Sequence, residues 1–448
     1  MNWRSPILRT VHRVDLPGTL SNYRQVKSFE EKGKYHVERN QTAKLIDLLE
    51  HAYETVPYYR EVLGDAGVVI DGNVDLTAFT DVPPLTKDRL REHHEELQSI
   101  EPGSGVFENT SGGTTGEPVE FLQDDGYLRW NRANKLYFHD LAGRSLGEPW
   151  IQLWGDESVT LDERKGLRER IADWIRNRHV LNSFQMDEDQ MDTYVRQINH
   201  IQPRSIEAYV ESIEELANHI IRKELDVYSP NGILSTAGTL HPPVRERVEQ
   251  AFGAPVLNKY GSREVGDIAC ECTQQDGLHV FSHTHYVEVI DEDGNPVPPG
   301  EEGELAITLL TNYTMPLIRY RIGDMGIKSE RQCSCGRPFP LLEKVTGRVS
   351  DHLQSIDGGL VHGEFFTHLL YHKPWVKKFQ VRQTALDQVV YRIVTEDEEP
   401  PERDLKEIKT KTENVLGEEV VVAFDFCESI ESSASGKYRY TISEVTNE

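Results

Sequence analysis

Between Arg39 and Gly64 the residues Leu45, Leu48, Leu49, Ala52, Tyr53 and Val56 recur at helical spacing until Pro57 interrupts them. LTKDRLREHHEEL, starting at Leu85, predicts a second helix with Thr86 as its N-cap. VEFLQD from Val119 reads as a strand, and WIQLWG from Trp150 as a short buried strand ending at Gly155. Further on, helical MDTYVRQINHI and SIEELANHIIRKEL flank strand-like RSIEAYV, and GILSTAG precedes the helix PPVRERVEQAFG. Strands alternating with helices at this interval predict a parallel sheet covered on both faces. Ligands of such sheets bind at the carboxyl ends of the strands, where the loops STAGT and NKYGSRE fall.

From His283 the pattern changes. HTHYVEVIDEDGNPVPPGEEGELAITLL reads as two strands joined by a Gly- and Pro-rich turn, so a small antiparallel lobe is expected. Beyond Arg348 the strands VKKFQV and QVVYRIVT, the helix ERDLKEIKTKTENVLG and the strand EVVVAFDF predict a compact α+β unit. The expected class is α/β: a large N-terminal domain over residues 1–346, a hinge at 347–351 and a small C-terminal domain over 352–448.

The chain of 448 residues carries 49 Lys and Arg against 75 Asp and Glu, a net charge of −26. A duplex-binding face would have to sit inside that negative field, so nucleic acid is not expected as a partner. No run approaches the roughly 18 apolar residues needed to cross a bilayer, and the basic start MNWRSPILRTVHRV lacks the apolar stretch of a signal peptide. The expectation is a cytoplasmic protein without membrane contact, and a homodimer stays open.

The stretch NTSGGTTGEPVEF packs three glycines and several hydroxyls ahead of a strand. Its amides could approach anionic oxygens, but no Lys follows as in the GxxxxGK[ST] loop. NKYGSREVGD sets Tyr260 and the carboxylate of Glu264 in one loop, an aromatic that can stack on a base and a group that can hold Mg²⁺. YRIGDMG places Asp324 in a turn, where its two oxygens could accept from both ribose hydroxyls. TGRVSD contributes Arg348, and SASGKYRYT contributes Lys437, which taken alone would read as a solvated surface lysine.

In this order and spacing, these segments resemble the adenylate-forming enzymes, the superfamily of acyl-CoA synthetases, nonribosomal-peptide adenylation domains and luciferases. Within it the resemblance is to the branch of phenylacetate-CoA ligases and CapK-like proteins, and it runs from LLEHAYETVPYYREVL near the start to SGKYRYTIS near the end. It implies that Ser111, Gly112, Thr114, Thr115 and Gly116 close over the β- and γ-phosphates of ATP, with Gly238, Gly261 and Ser262 also at the nucleotide. Tyr260 would stack on adenine, Glu264 would bind Mg²⁺, Asp324 would hold the ribose, and Arg348 would lie at the ribose and phosphate edge. Lys437 would bridge the acid carboxylate and the α-phosphate. The C-terminal domain would rotate about a hinge at Ser350 and Asp351, where relatives often carry Asp or Lys at the first of these positions. The acyl pocket would involve Trp154, Tyr209, Ala237, Gly238 and Thr239; for the two aromatics, core packing is the competing reading.

The implied reaction is activation of an aryl or other small carboxylic acid through an acyl-adenylate, then transfer to coenzyme A. One alternative passes the acyl group to an amine, hydroxyl or carrier protein; another is a nucleotide-binding scaffold without catalysis.

Four cysteines form two C-x-C pairs, Cys270 with Cys272 and Cys333 with Cys335, which suggests metal before disulfide in a cytoplasmic chain. Cys427 reads as a small buried hydrophobe. Members of the same branch resemble the set Cys272, His279, Cys333 and Cys335, with Cys270 as rival fourth ligand, which implies a structural zinc with no open position. His283, His285 and His362 carry no assignment.

Overall fold

The computed structural model describes residues 4, 8, 10, 17–111, 119–154, 167–183, 186–348, 353–357, 360–361, 363–371, 373–396, 400–430 and 439–445. The chain divides into two compact units. The first comprises Met1–Ile322 and Gly326–Val345, and the second Gly323–Met325 and Thr346–Glu448.

In the first unit, the strands Trp150–Trp154, Arg178–Asn182, Ser205–Tyr209, Gly232–Thr236 and Val256–Ser262 form a parallel array. The helices between them are amphipathic. Val210–Arg222 buries Val210, Ile213, Leu216, Ala217 and Ile220, one stripe at helical spacing, against the sheet. Pro242–Phe252 starts on two prolines, whose fixed φ suits the first helical turn, and stops at Gly253 with φ 62°. Glu188–Ile201 begins where Asp187 accepts the Gln190 N–H. The opposite face of the sheet is covered by Asp125–Leu141, capped by Asp124, which brings Tyr137, Phe138 and Leu141 against Leu234 and Leu257.

The antiparallel strands at His285–Ile290 and Glu302–Leu309 pair over six residues. They belong to the same 11-stranded sheet as the parallel array, joined to it through the hairpin of Val256–Ser262 with Gly266–Glu271. Pro57 begins a new helix, Pro57–Asp65, directly after Lys34–Thr55, because a first-turn proline lacks only an N–H that would be orphaned anyway. The Thr86 hydroxyl caps a helix of Lys87–Glu92, shorter than the apolar spacing to Leu97 predicts.

The second unit carries a four-stranded sheet in the order Val421–Phe426, Gln388–Thr395, Val376–Ala385 and Thr441–Ser443. The central pair is antiparallel and both outer strands run parallel to their neighbours. The helix Glu402–Leu416 buries Ile408 and Leu416 against Phe379, Val381 and Tyr391. The Tyr391 hydroxyl lies 2.5 Å from Thr412 Oγ1, and the Trp375 indole donates to Asp404, so both buried polar tips are satisfied. Cys427 is half-buried just past the edge strand rather than enclosed, with its N–H donating to the Ile393 carbonyl.

Candidate functional site

The carboxyl ends of the parallel strands gather several of the expected residues in a row. Trp154 ends one strand, and Leu153 pairs with Ala208, so Trp154 stands beside Tyr209. Tyr209 pairs with Thr236, after which Ala237, Gly238 and Thr239 leave the sheet. The Trp154 and Tyr209 ring centroids are 4.0 Å apart with planes tilted by 36°, and both side chains are half-buried. Ala237 adopts φ 65°, the left-handed region that residues other than glycine seldom occupy, in the loop where an open α/β sheet binds ligands. At Gly238 a Cβ would fall 2.7 Å from Glu211 Oε1 and 3.2 Å from Val210 Cβ, so this loop lies directly on the start of the helix Val210–Arg222 that follows Tyr209.

On the next strand lies Tyr260, 9 % exposed and packed into the core shared with Tyr127 and Val265. Gly261 permits the tight hairpin behind it: a Cβ there would sit 2.5 Å from the Gly266 carbonyl oxygen. Glu264 is buried at the hairpin tip, Ser262 is half-buried beside it, and Gly266 turns the chain with φ 79°.

The hydroxyl-rich loop springs from a hairpin of Phe107–Thr110 with Glu120–Gln123. Ser111 closes its base: its N–H donates to the Val119 carbonyl, and its Oγ accepts the Val119 N–H at 2.9 Å. Gly112, Thr114, Thr115 and Gly116 lie outside the described residues. The buried Gln123 amide donates to the carbonyls of Arg263 at 3.0 Å and Glu264 at 3.1 Å, and so ties this hairpin to the Glu264 turn. Sequence reasoning does not single out Gln123, because a strand glutamine is unremarkable until its cross-chain partners are seen.

Asp324 lies within the strand Tyr320–Ser329, half-buried, rather than in a free turn. Arg348 ends the strand Leu341–Arg348, and its side chain is outside the description, as are Ser350, Asp351, His362 and Lys437.

Beneath the aromatic pair runs a buried ionic trio absent from the sequence reading. Lys259 Nζ lies 2.7 Å from Glu207 and 3.1 Å from Asp267, with all three residues under 9 % exposed. The Lys259 ammonium also stands 5.2 Å from the Phe138 ring centroid. Burial alone would raise the Glu207 pKa, but the Lys259 charge, together with the fields of His139 and Lys135 and the Lys259 hydrogen bond, outweighs it and holds the carboxyl down to about 2. The nearby His139 is pushed well below the ordinary histidine range, chiefly by burial and then by Arg144. His283 and His285 are buried and held by hydrogen bonds: their Nε2 atoms face Asn134 Oδ1 and the Val265 carbonyl respectively.

Away from the strand ends, Cys272, His279, Cys333 and Cys335 bring one ligand atom each to within 4.8 Å of one another. Cys272 Sγ lies 3.7 Å from Cys333 Sγ, and Cys335 Sγ lies 3.4 Å from His279 Nε2. A tetrahedral zinc with Zn–S bonds of about 2.3 Å spaces its ligands at nearly these separations. Burial lowers the His279 pKa to about 4, which keeps the imidazole neutral with a lone pair to offer. Cys270 is buried and cross-strand from His279, but does not join the group of four. The donor set and spacing therefore fit a closed zinc site. Around it, Arg337 donates to Glu30 and to Tyr137.

Residues 353–444 match the CapK C-terminal domain family. The chain is 22 % identical to "Protein CapK" of Staphylococcus aureus over 94 % of its own length and 92 % of that protein. It is 26 % identical to a phenylacetate-coenzyme A ligase of Thermus thermophilus, over 86 % of this chain and 85 % of the relative. Among solved structures, 2-hydroxyisobutyryl-CoA ligase, crystallised in the postadenylation state with R3-HIB-AMP, superposes with a TM-score of 0.69 at 19 % identity, covering 92 % of this chain and 90 % of that one. No helix among the described residues is long and apolar enough to cross a membrane. Taken together, the parallel-sheet fold, the CapK-type C-terminal unit and the near full-length relatives make this chain a member of the adenylate-forming superfamily.

Proposed function

We propose that the protein is an AMP-forming acid ligase that activates an aryl or other small carboxylic acid with ATP and passes the acyl group to coenzyme A. The observation that supports this most is the alignment of Trp154, Tyr209, the Ala237–Thr239 loop and Tyr260 along adjacent strand ends, with the hydroxyl-rich hairpin tied by Gln123 to the Glu264 turn. An acid and a nucleotide would then meet along one sheet edge.

In the first step a carboxylate oxygen attacks the α-phosphorus, the bond to the bridging oxygen breaks, and pyrophosphate leaves. In the second, the thiol sulfur of coenzyme A attacks the acyl carbon, AMP leaves, and the thiol proton passes to solvent. The chain's task is to bring two anions together, which requires positive charge where negative charge accumulates. In this reading Ser111, Gly112, Thr114, Thr115 and Gly116 cradle the β- and γ-phosphates, Tyr260 carries the adenine, Asp324 the ribose, Arg348 stands at the ribose and phosphate edge, and Lys437 bridges the carboxylate and the α-phosphate. Glu264 would hold Mg²⁺, which when bound offsets phosphate charge. Trp154 and Tyr209 would form the acyl wall. Ser350 and Asp351 would serve as the hinge, and the cysteine and histidine group would hold a structural zinc.

A second reading keeps the adenylate and changes the acceptor to an amine, hydroxyl or carrier protein. The match of residues 353–444 to the CapK C-terminal domain favours keeping it, since in this reading that unit presents the acceptor. Mass spectrometry of reactions containing ATP and one acid, first alone and then with coenzyme A or amines, tests both. An acyl-AMP followed by an acyl-CoA supports the first reading, an amide supports the second, and the absence of any acyl-AMP contradicts both.

A further inference from the structure

The buried trio Glu207, Lys259 and Asp267 occupies a position that packing alone does not require. Residues paired in register, and residues two apart on a strand, share a face of the sheet. Glu207 therefore stands on the same face as Tyr209, and through Leu234 and Leu257 on the same face as Lys259. The Lys259 side chain crosses the intervening strand Gly232–Thr236 to reach Glu207. Its other partner, Asp267, lies across the hairpin, opposite Gly261.

Each carboxylate thus belongs to a different candidate subsite. Glu207 is two residues before Tyr209 of the acyl wall, whereas Asp267 pairs beside Tyr260 of the adenine platform. Taking three charges out of water is costly, and an apolar replacement of similar volume often matches or exceeds the stability of such a group. The amides around the trio hold the backbone as well: the Asp267 N–H donates to Asn131 Oδ1, and the Asn134 amide donates to the Asp267 carbonyl.

We propose that Lys259 is a positioning residue whose two ion pairs set the spacing between the acyl wall at Trp154 and Tyr209 and the adenine platform at Tyr260. The proposal rests on the ligase reading given above. Lys259 touches neither substrate; it acts through the two strands that end at them. Its two arms are separable. Releasing the Glu207 arm loosens the acid side, and releasing the Asp267 arm loosens the nucleotide side.

The test compares Glu207→Gln and Asp267→Asn, each of which leaves Lys259 one carboxylate partner, with the wild-type chain. Two readouts are used: KM for acid and for ATP in pyrophosphate exchange, and amide hydrogen exchange of the intact protein. The expected result for Glu207→Gln is a rise of about tenfold in acid KM, the worth of one hydrogen bond, with ATP KM unchanged and faster amide exchange at 205–209. Asp267→Asn is expected to do the reverse, raising ATP KM and speeding exchange at 259–262. Equal shifts in both constants, or values within twofold of wild type in both variants, would overturn the proposal in favour of a purely structural trio. Should both variants fail to fold, Lys259→Arg, which keeps the charge but replaces the compact ammonium with a larger planar fork, is expected to change both constants by less than about tenfold, the worth of one hydrogen bond; a folded Lys259→Arg with a uniform loss larger than that also overturns it. A wild-type chain that shows no acid-dependent exchange counts against the ligase reading instead. The amide-exchange pattern of the variants still decides the positioning role.

Discussion

The rings of Trp154 and Tyr209 face one another with centroids 4.0 Å apart at the ends of two adjacent parallel strands. Neither is fully enclosed: each is the last residue of its strand, and Tyr209 also stands at the N-terminus of the helix Val210–Arg222. If they form the acyl wall, Trp154→Ala removes a large contact from the acid and none from the nucleotide. Acid KM is expected to rise about tenfold or more with ATP KM unchanged, and the preference is expected to move toward bulkier acids. Kinetics across a series of acids of graded size checks this.

Gly261 is fixed by space rather than by φ. A Cβ would meet the Gly266 carbonyl oxygen at 2.5 Å and Asp267 Cα at 3.1 Å, both backbone atoms that cannot swing aside. Gly261→Ala is expected to cost about 1–3 kcal/mol, as overpacking does, and to move Tyr260 with it. Denaturant midpoints would register the first effect and ATP KM the second.

For the cysteine and histidine group, the chain purified without chelator is expected to carry about one zinc per molecule. Cys335→Ser removes a ligand, so it is expected to lower both metal content and melting temperature. Cys270→Ser, outside the group of four, is expected to leave metal content unchanged. Elemental analysis alongside thermal unfolding separates the two.

The acid sensitivity of Glu207 follows from its pairing with Lys259. Its pKa in the fold is about 2 against an ordinary 4.5, a depressed value, so its stabilising contribution is fully present above pH 4.5 and disappears as pH falls toward 2. The difference corresponds to roughly 3 kcal/mol. Glu207→Gln has no such carboxyl to protonate. Stability measured by denaturant between pH 5 and pH 3 is expected to fall less steeply in the variant than in the wild-type chain.

Much of this architecture is legible in the residues. The alternation of apolar runs and amphipathic helices from Trp150 to Gly253 specifies the parallel array, because local spacing decides which face each side chain occupies. The paired cysteines are legible for a similar reason, since short spacings constrain what they can reach. The trio of Glu207, Lys259 and Asp267 is not: Glu207 and Lys259 lie 52 residues apart and meet across an intervening strand. Gln123 escapes notice likewise, its two acceptors lying 140 and 141 residues away. The helix Asp125–Leu141 shows no clean stripe, because it also buries Asn134 and His139, whose polar groups find partners only in the assembled fold. Asp324 reads as a turn residue from its Gly neighbours, yet the strand continues through it.

The measurement that bears most directly on the central claim is acid-dependent exchange of labelled pyrophosphate into ATP, run over a panel of small aliphatic and aryl acids. Exchange is expected with at least one acid, and a rate lower by roughly 10²- to 10³-fold in Lys437→Ala, as for loss of a group that stabilises transition-state charge, with the fold intact. No exchange with any acid of the panel, or an unchanged rate in Lys437→Ala, would contradict it.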